Sequence, residues 1–182
     1  MYELDAAITG WINHLAGNTL LDQILINISA FGVPLLVIAV AAQWWVSSDR
    51  TKTRHALLAA GLAFLIGLGL NQIILVFDGR IRPYDAGITR LLIERSADPS
   101  FPSDHATATF AIAAALLLHG LSKRGSVFLL AALVVAFSRV YIGTHYVSDV
   151  LGGALTGISA ALLVKAIYRP ATRFDRFVTG IL

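Results

Sequence analysis

Residues 126–167 read SVFLLAALVVAFSRVYIGTHYVSDVLGGALTGISAALLVKAI. Two apolar runs, 126 to 144 and 147 to 167, meet across a short polar turn, and each approaches the roughly 20 apolar residues that a helix needs to cross a bilayer. This predicts two membrane helices joined by a tight connection. Ser138, Arg139, His145 and Asp149 gather at that connection. Polar and ionisable groups at a membrane boundary are costly to hold there, so such a cluster reads as a functional site.

Working outward, three more apolar runs lie near 22 to 46, 55 to 77 and 104 to 119. The 182 residues are 57% hydrophobic and 14% charged, the balance of a membrane protein forming one domain over 1–182. Residues 2 to 16 differ, because Leu4, Ala7, Ile8, Trp11, Ile12 and Leu15 recur at helical spacing beside Glu3, Asp5, Asn13 and His14. That pattern predicts an amphipathic helix lying in the interface. The fold expected is an all-α, polytopic transmembrane helix bundle with five spans plus this interfacial helix, or six if residues 2 to 16 enter the bilayer. The first residues carry no Lys or Arg and no long apolar core, so a cleaved leader is not expected.

Charge sets the expected orientation. Arg50, Lys52, Arg54, Lys123, Arg124, Lys165, Arg169, Arg173 and Arg176, nine of the fourteen cations, fall at one end of an up-and-down bundle. Excess Lys and Arg mark cytoplasmic loops, so the Ser138 to Asp149 run is expected to face away from the cytoplasm. The net charge of +3 is scattered rather than blocked, which argues against a nucleic-acid partner. Cysteine is absent, which excludes disulfides, thiolate metal sites and a thiol nucleophile.

The same threading brings three segments to that outer end: Asp78-Gly79-Arg80-Ile81-Arg82-Pro83, Phe101-Pro102-Ser103-Asp104-His105, and the Ser138 to Asp149 run. Arg82 and Arg139 offer planar, permanently charged donors suited to phosphate oxygens. Ser103 is a natural helix N-cap, and anions bind at such ends. His145 and Asp149 stand four apart. A carboxylate at that spacing can orient one imidazole nitrogen and leave the other nucleophilic, with His105 from a separate helix available as a general acid. Taken singly, each residue has a plainer reading. Arg82 is a snorkelling cation at a helix exit, Ser103 a cap, His105 a solvated helix-start residue, and Asp149 a helix N-terminal charge. Together they favour catalysis.

In these residues the chain resembles the type-2 phosphatidic acid phosphatase superfamily of metal-independent lipid phosphatases. Its signature has three parts, K-x6-R-P, P-S-G-H and S-R-x5-H-x3-D. Ser138, Arg139, His145 and Asp149 meet the third in full, Pro102, Ser103 and His105 the second, and Arg82 and Pro83 the first. The resemblance implies a phosphohistidine mechanism without metal or cofactor. His145 attacks, Asp149 orients it, His105 protonates the leaving group, and Arg82, Ser103 and Arg139, at the site that also holds Ser138, grip the phosphoryl oxygens.

Two positions depart from the pattern. The family's lysine falls at Leu75, and its glycine at Asp104. Arg80 is expected to supply the missing charge to the phosphate cradle. Asp104 is expected to turn away, pair with an arginine or cap its helix. The F-P-S-D-H form and the absent lysine are similar to the bacitracin-resistance subgroup, whose members dephosphorylate undecaprenyl diphosphate. That likeness implies a lipid diphosphate substrate, with Arg80, Arg90 and Arg95 neutralising its further charge, and a bacterial cytoplasmic membrane with the site facing outward. Phosphatidylglycerophosphate, phosphatidate and lipid A phosphates are the alternative substrates. A metallohydrolase built on His105, Asp104, His145 and Asp149, and a non-catalytic lipid-phosphate binder or transporter, are the rival classes.

Overall fold

The computed structural model describes residues 2–46 and 49–181, and among them every regular element is helical. The order is α1 (Tyr2–Asn13), α2 (Thr19–Val46), α3 (Arg50–Phe77), α4 (Asp104–Leu118), α5 (Ser122–Tyr141), α6 (Val147–Ile167) and α7 (Arg173–Thr179). Four of these, α2, α3, α5 and α6, are long and apolar enough to cross a membrane. The fifth expected span, α4, has 15 residues. At 1.5 Å per residue it is only about 22 Å long, short of a hydrocarbon core of about 30 Å.

The position of α4 explains its length. It packs against α3, α5 and α6, and Ala106, Ala108, Ala111, Ala113, Ala115 and Leu116 are each at most 2% exposed. A helix that is apolar on every side belongs inside a bundle. Small side chains let its neighbours close in. A Cβ at Gly153 would collide with the Ser103 carbonyl oxygen, and one at Gly157 with that of Thr107. The G-x-x-x-G of α6 therefore serves an intramolecular contact. The outer helices show the opposite pattern, with Phe31, Leu35 and Ile38 of α2 and Leu151 and Leu155 of α6 exposed. Such faces are soluble only in lipid.

Local signals explain where the chain turns. Asp49 caps α3 by accepting from the Lys52 amide. The α4 to α5 connection turns at Gly120, with φ +83°, and the α5 to α6 connection at Gly143, with φ +84°, where a side chain would meet the Arg90 carbonyl. The helix α1 lies across the end of the bundle that holds the α5 to α6 turn. Its Asn13 donates to the carbonyls of Tyr141 (2.7 Å) and Arg90 (3.0 Å) and accepts from the Arg90 amide (2.7 Å). Leu4 and Trp11 stay exposed on its other face, as does Leu15 just beyond it, the arrangement expected of an interfacial helix. The short helix α7 was not anticipated from the sequence. Its N-cap, Thr172, accepts from the Asp175 amide at 3.1 Å.

Candidate active site

At the α1 end of the bundle lies a cavity of about 290 Å³ lined by Arg82, Asp104, His105, Arg139 and His145 and closed by the 93–99 segment. Each arrives from a different place. Arg82 follows α3, Asp104 and His105 open α4, Arg139 stands in the last turn of α5, and His145 precedes α6.

His145 is 3% exposed. Its Nδ1 lies 2.8 Å from the Ser100 carbonyl oxygen and 3.6 Å from Asp149 Oδ2. A carbonyl can only accept, so Nδ1 carries the proton and Nε2 is bare. Arg82 Nη1 approaches Nε2 at 3.4 Å. Burial pushes the imidazole pKa down, with Arg139 and Arg82 adding to it and Asp149 opposing, so the ring is held neutral. Neutrality is what a nucleophilic nitrogen needs.

The sequence reading had Asp149 accept the His145 proton directly. The structure corrects this, placing Asp149 one step behind. The fully buried carboxylate accepts from Ser100 Oγ at 2.5 Å, from the Tyr146 amide at 2.8 Å and from Arg80 Nη1 at 2.6 Å. It thus fixes Ser100, whose carbonyl fixes His145. The physical reason is that His145 precedes α6 while Asp149 lies in its first turn. The carboxylate reaches back to the helix start, as a residue three past an N-cap does.

Arg80 is also corrected. Its Nη2 pairs with Asp5 of α1 at 2.7 Å, its Nη1 with Asp149, and it lies 4.0 Å from the ring centroid of Tyr146. Held by two carboxylates and absent from the cavity lining, it does not replace the family lysine. Leu75, at the lysine's position, does line the cavity. Arg90 and Arg95 also lie off the cavity, Arg95 paired with Asp85 at 2.9 Å. None of the three cations expected to neutralise a second phosphate is among the residues that line the cavity.

The remaining predicted residues divide. Arg82 is fixed by carbonyls, donating from Nε to Asp98 at 2.8 Å and from Nη1 to Thr144 at 3.0 Å. Arg139 donates to Ser29 of α2, leaving its Nε buried without a partner among the described residues. Asp104 faces the cavity but accepts from Asn71 at 2.7 Å, which takes the place of the anticipated arginine. Ser103 caps α4 by position, yet its buried Oγ makes no hydrogen bond among the described residues. Ser138 is turned away from the cavity, its hydroxyl donating to the Val135 carbonyl at 2.6 Å within its own helix.

Comparison with known proteins gives this arrangement its family. The model of the PAP2 superfamily matches residues 56–173. The chain belongs to the PAP2 superfamily. The undecaprenyl-diphosphatase BcrC of Bacillus subtilis (strain 168) is 34% identical over 162 residues, which cover 89% of this chain and 81% of that one. The putative undecaprenyl-diphosphatase YbjG of Escherichia coli (strain K12) is 31% identical over 137 residues, covering 75% and 67%. Among solved structures, the transmembrane PAP2-type phosphatidylglycerolphosphate phosphatase of Bacillus subtilis superposes with a TM-score of 0.70 at 29% identity, over 95% of this chain and 88% of that one. This PAP2 protein is accordingly a multi-pass membrane phosphatase acting on a lipid phosphate, not a passive binder.

Sequence reasoning missed Ser100, Ser29 and Asp5. Ser100 lies in the Ser96-Ala97-Asp98-Pro99-Ser100 approach to Phe101, where nothing in its spacing announces a carbonyl aimed at His145. Asp5 carried a faint signal, as one of two acidic residues, with Glu3, in the first turn of the amphipathic α1.

Proposed function

We propose that this PAP2 protein removes the terminal phosphate of undecaprenyl diphosphate through a phosphohistidine. The observation that carries the mechanism is the bare, neutral Nε2 of His145 beside Arg82 in a cavity that also holds Arg139 and His105. In the reading adopted, Nε2 attacks the terminal phosphorus. The bond from phosphorus to the bridging oxygen breaks, and His105, whose pKa burial and Arg139 hold down at about 3 in the free site and which takes up its proton with the anionic substrate, gives that proton to the oxygen. Water then attacks the phosphohistidine, His105 takes a proton from it, and phosphate leaves. Arg82 and Arg139 stabilise the charge that builds on the phosphoryl oxygens in both steps. The unpartnered Ser103 Oγ and Arg139 Nε supply two donors beside the cavity. Two guanidinium groups at the reacting centre disfavour a divalent cation there, so activity should survive excess EDTA.

The choice of lipid rests on likeness to the BcrC protein. The outward orientation rests on the nine cations gathered at the opposite end. Purified protein given undecaprenyl diphosphate labelled at its terminal phosphate, then quenched, should yield acid-labile label on protein, absent from His145→Ala. No label with any lipid phosphate would overturn the mechanism. Phosphate release compared across undecaprenyl diphosphate, phosphatidylglycerophosphate and phosphatidate tests the substrate, and a clear preference for a glycerophospholipid would overturn it. Because the chain lacks cysteine, Ala97→Cys and Lys123→Cys report orientation through an impermeant maleimide. Labelling of Lys123→Cys rather than Ala97→Cys on intact cells would reverse the topology.

A further inference from the structure

A second group of titratable side chains is buried at the opposite end of the bundle, where the phosphatase chemistry makes no use of them. His55 of α3 directs Nδ1 at Asp175 of α7, 2.7 Å away, and stacks on Tyr168 at a centroid distance of 4.6 Å. The Tyr168 hydroxyl donates to the same carboxylate oxygen at 2.5 Å. A carboxylate accepts, so His55 carries a proton on Nδ1, and as a neutral ring it leaves Nε2 as an acceptor. His119, at the end of α4, places Nδ1 3.0 Å from that nitrogen and must be the donor. The chain of tautomers assigned in this way ends in a bare Nε2 on His119. That atom is buried with no partner among the described residues, and His119 itself is 7% exposed.

His119 lines a cavity of about 520 Å³, larger than the catalytic one, whose wall also carries Lys52, Lys165 and Arg176. None of these three cations forms an ion pair among the described residues. The two acids in the wall keep their charge, leaving three cations to two carboxylates, but their oxygens are engaged by other groups. Asp175 is held by His55, Tyr168 and the Ala171 amide, and Asp49 accepts from the Lys52 amide as the cap of α3. Three cations and one buried, unsatisfied acceptor therefore surround the same space. A lone metal ion is a poor occupant, because the cations would repel it. An anion that bears its own proton satisfies both demands, since its charged oxygens pair with Lys and Arg while its P–OH donates to the nitrogen.

We propose that this cavity binds a phosphate monoester or inorganic phosphate, the monoester being the headgroup of a lipid such as phosphatidate, with His119 Nε2 accepting from the protonated phosphate oxygen. The two sources share one chemistry, and one experiment separates them. Protein with 15N-labelled imidazoles is examined by NMR, the His119 signals being identified by their loss in His119→Gln. One sample, in uncharged detergent, is titrated with inorganic phosphate. Another, carrying His145→Ala so that lipid is not consumed, is placed in phosphatidylcholine bilayers with and without phosphatidate.

A saturable displacement of the His119 signals is expected in at least one sample. Displacement by phosphate identifies the free anion as a ligand, and displacement by phosphatidate alone identifies the headgroup. Lys165→Gln, an exposed substitution, should weaken the response about tenfold, and Lys52→Gln with Arg176→Gln should remove the rest. These variants should keep phosphatase turnover within about twofold, because they lie at the end away from the catalytic cavity. His119 signals unmoved in both samples would overturn the proposal. So would a displacement that persists unchanged in the cation variants, which would trace it to the catalytic cavity instead.

Discussion

The two ends of this bundle each bury a histidine near an aspartate, and the closer pair is not the catalytic one. His55 lies 2.7 Å from Asp175, whereas His145 lies 3.6 Å from Asp149 and gives its proton to the Ser100 carbonyl instead. A search for triad-like distances alone would choose the wrong end. What separates them is the company of the second ring nitrogen. Nε2 of His145 faces Arg82, which is 8% exposed, in a cavity shared with Arg139, which is 9% exposed. Nε2 of His55 is covered by His119. Arginines keep their charge, and with Arg82 held by carbonyls and Arg139 by the Ser29 hydroxyl the two remain oriented for a phosphoryl group before it arrives.

The widest gap between the ends should appear on truncating each histidine. His145→Ala is expected to lower kcat by about four orders of magnitude or more, the scale seen when a nucleophile is removed. His55→Ala should leave kcat within about threefold while lowering the melting temperature, since it strips Asp175 and His119 of partners. Steady-state kinetics beside thermal unfolding in detergent measures both. Comparable loss of turnover in the two variants would erase the distinction drawn here.

Next in size is the arginine pair. Arg139→Lys keeps the charge but loses the planar fork, and kcat should fall about 100-fold, the cost of one misplaced donor to a developing charge. A fall below threefold, read as phosphate release from the preferred lipid, would remove Arg139 from the phosphate grip.

Smaller effects test the chain from α1 to the nucleophile. Asp5 holds Arg80, Arg80 holds Asp149, and Asp149 holds Ser100. The carboxylate of Asp5 sits below the usual range, burial being outweighed by hydrogen bonds from Ser148 and Arg80. Arg80→Ala should lower kcat about tenfold to 100-fold, as outer partners of a reacting group do, with KM nearly unchanged. Asp5→Asn should cost less, a few-fold. A rise in KM without change in kcat on Arg80→Ala would return Arg80 to the substrate-binding role first expected from the sequence.

That reversal shows what the sequence could and could not convey. The spans were legible because bilayer thickness imposes a run length, and the meeting of Arg82, His105, Arg139 and His145 in one cavity followed from the parity of those spans. The tautomer of His145 was not legible, because it depends on a backbone carbonyl, which every residue has. The fate of Arg80 was not legible either, because its two carboxylates lie 69 and 75 residues away in the chain. Leu75, at the lysine's place in the motif, lines the cavity, and among the described residues the Arg and Lys side chains of that wall are Arg82 and Arg139. α4 runs from the catalytic cavity to the His119 end yet is shorter than lipid requires, and being enclosed by protein it need not match the bilayer, a fact that composition does not record.

Acid should reach His145 before Asp175, with His119, its folded pKa lowered by burial to about 4, adding to the first window from the other end, and the separation of the two residues is the finest expected effect. His145 has its folded pKa lowered by burial from an ordinary value of 6.5. The unfolded chain therefore binds the proton first, and stability begins to fall as pH drops below about 6.5. Burial would raise Asp175, but the hydrogen bonds from Tyr168, His55 and the Ala171 amide prevail and hold it below its ordinary 3.8. Its contribution is complete at neutral pH and is lost only below about 3.8. Melting temperatures measured from pH 7.5 downward should decline more gently for His145→Gln than for the parent through the first window. Asp175→Asn, less stable throughout, should run parallel to the parent there and flatten only in the second. The same first window should leave catalysis intact, because the neutral nucleophile persists to lower pH than a free histidine. A kcat/KM profile whose acid limb, assigned by its shift in a His145 variant of residual activity, lay at or above 6.5 would mean that burial, with Arg139 and Arg82, does not keep the ring neutral. The comparison between the ends would then rest on geometry alone.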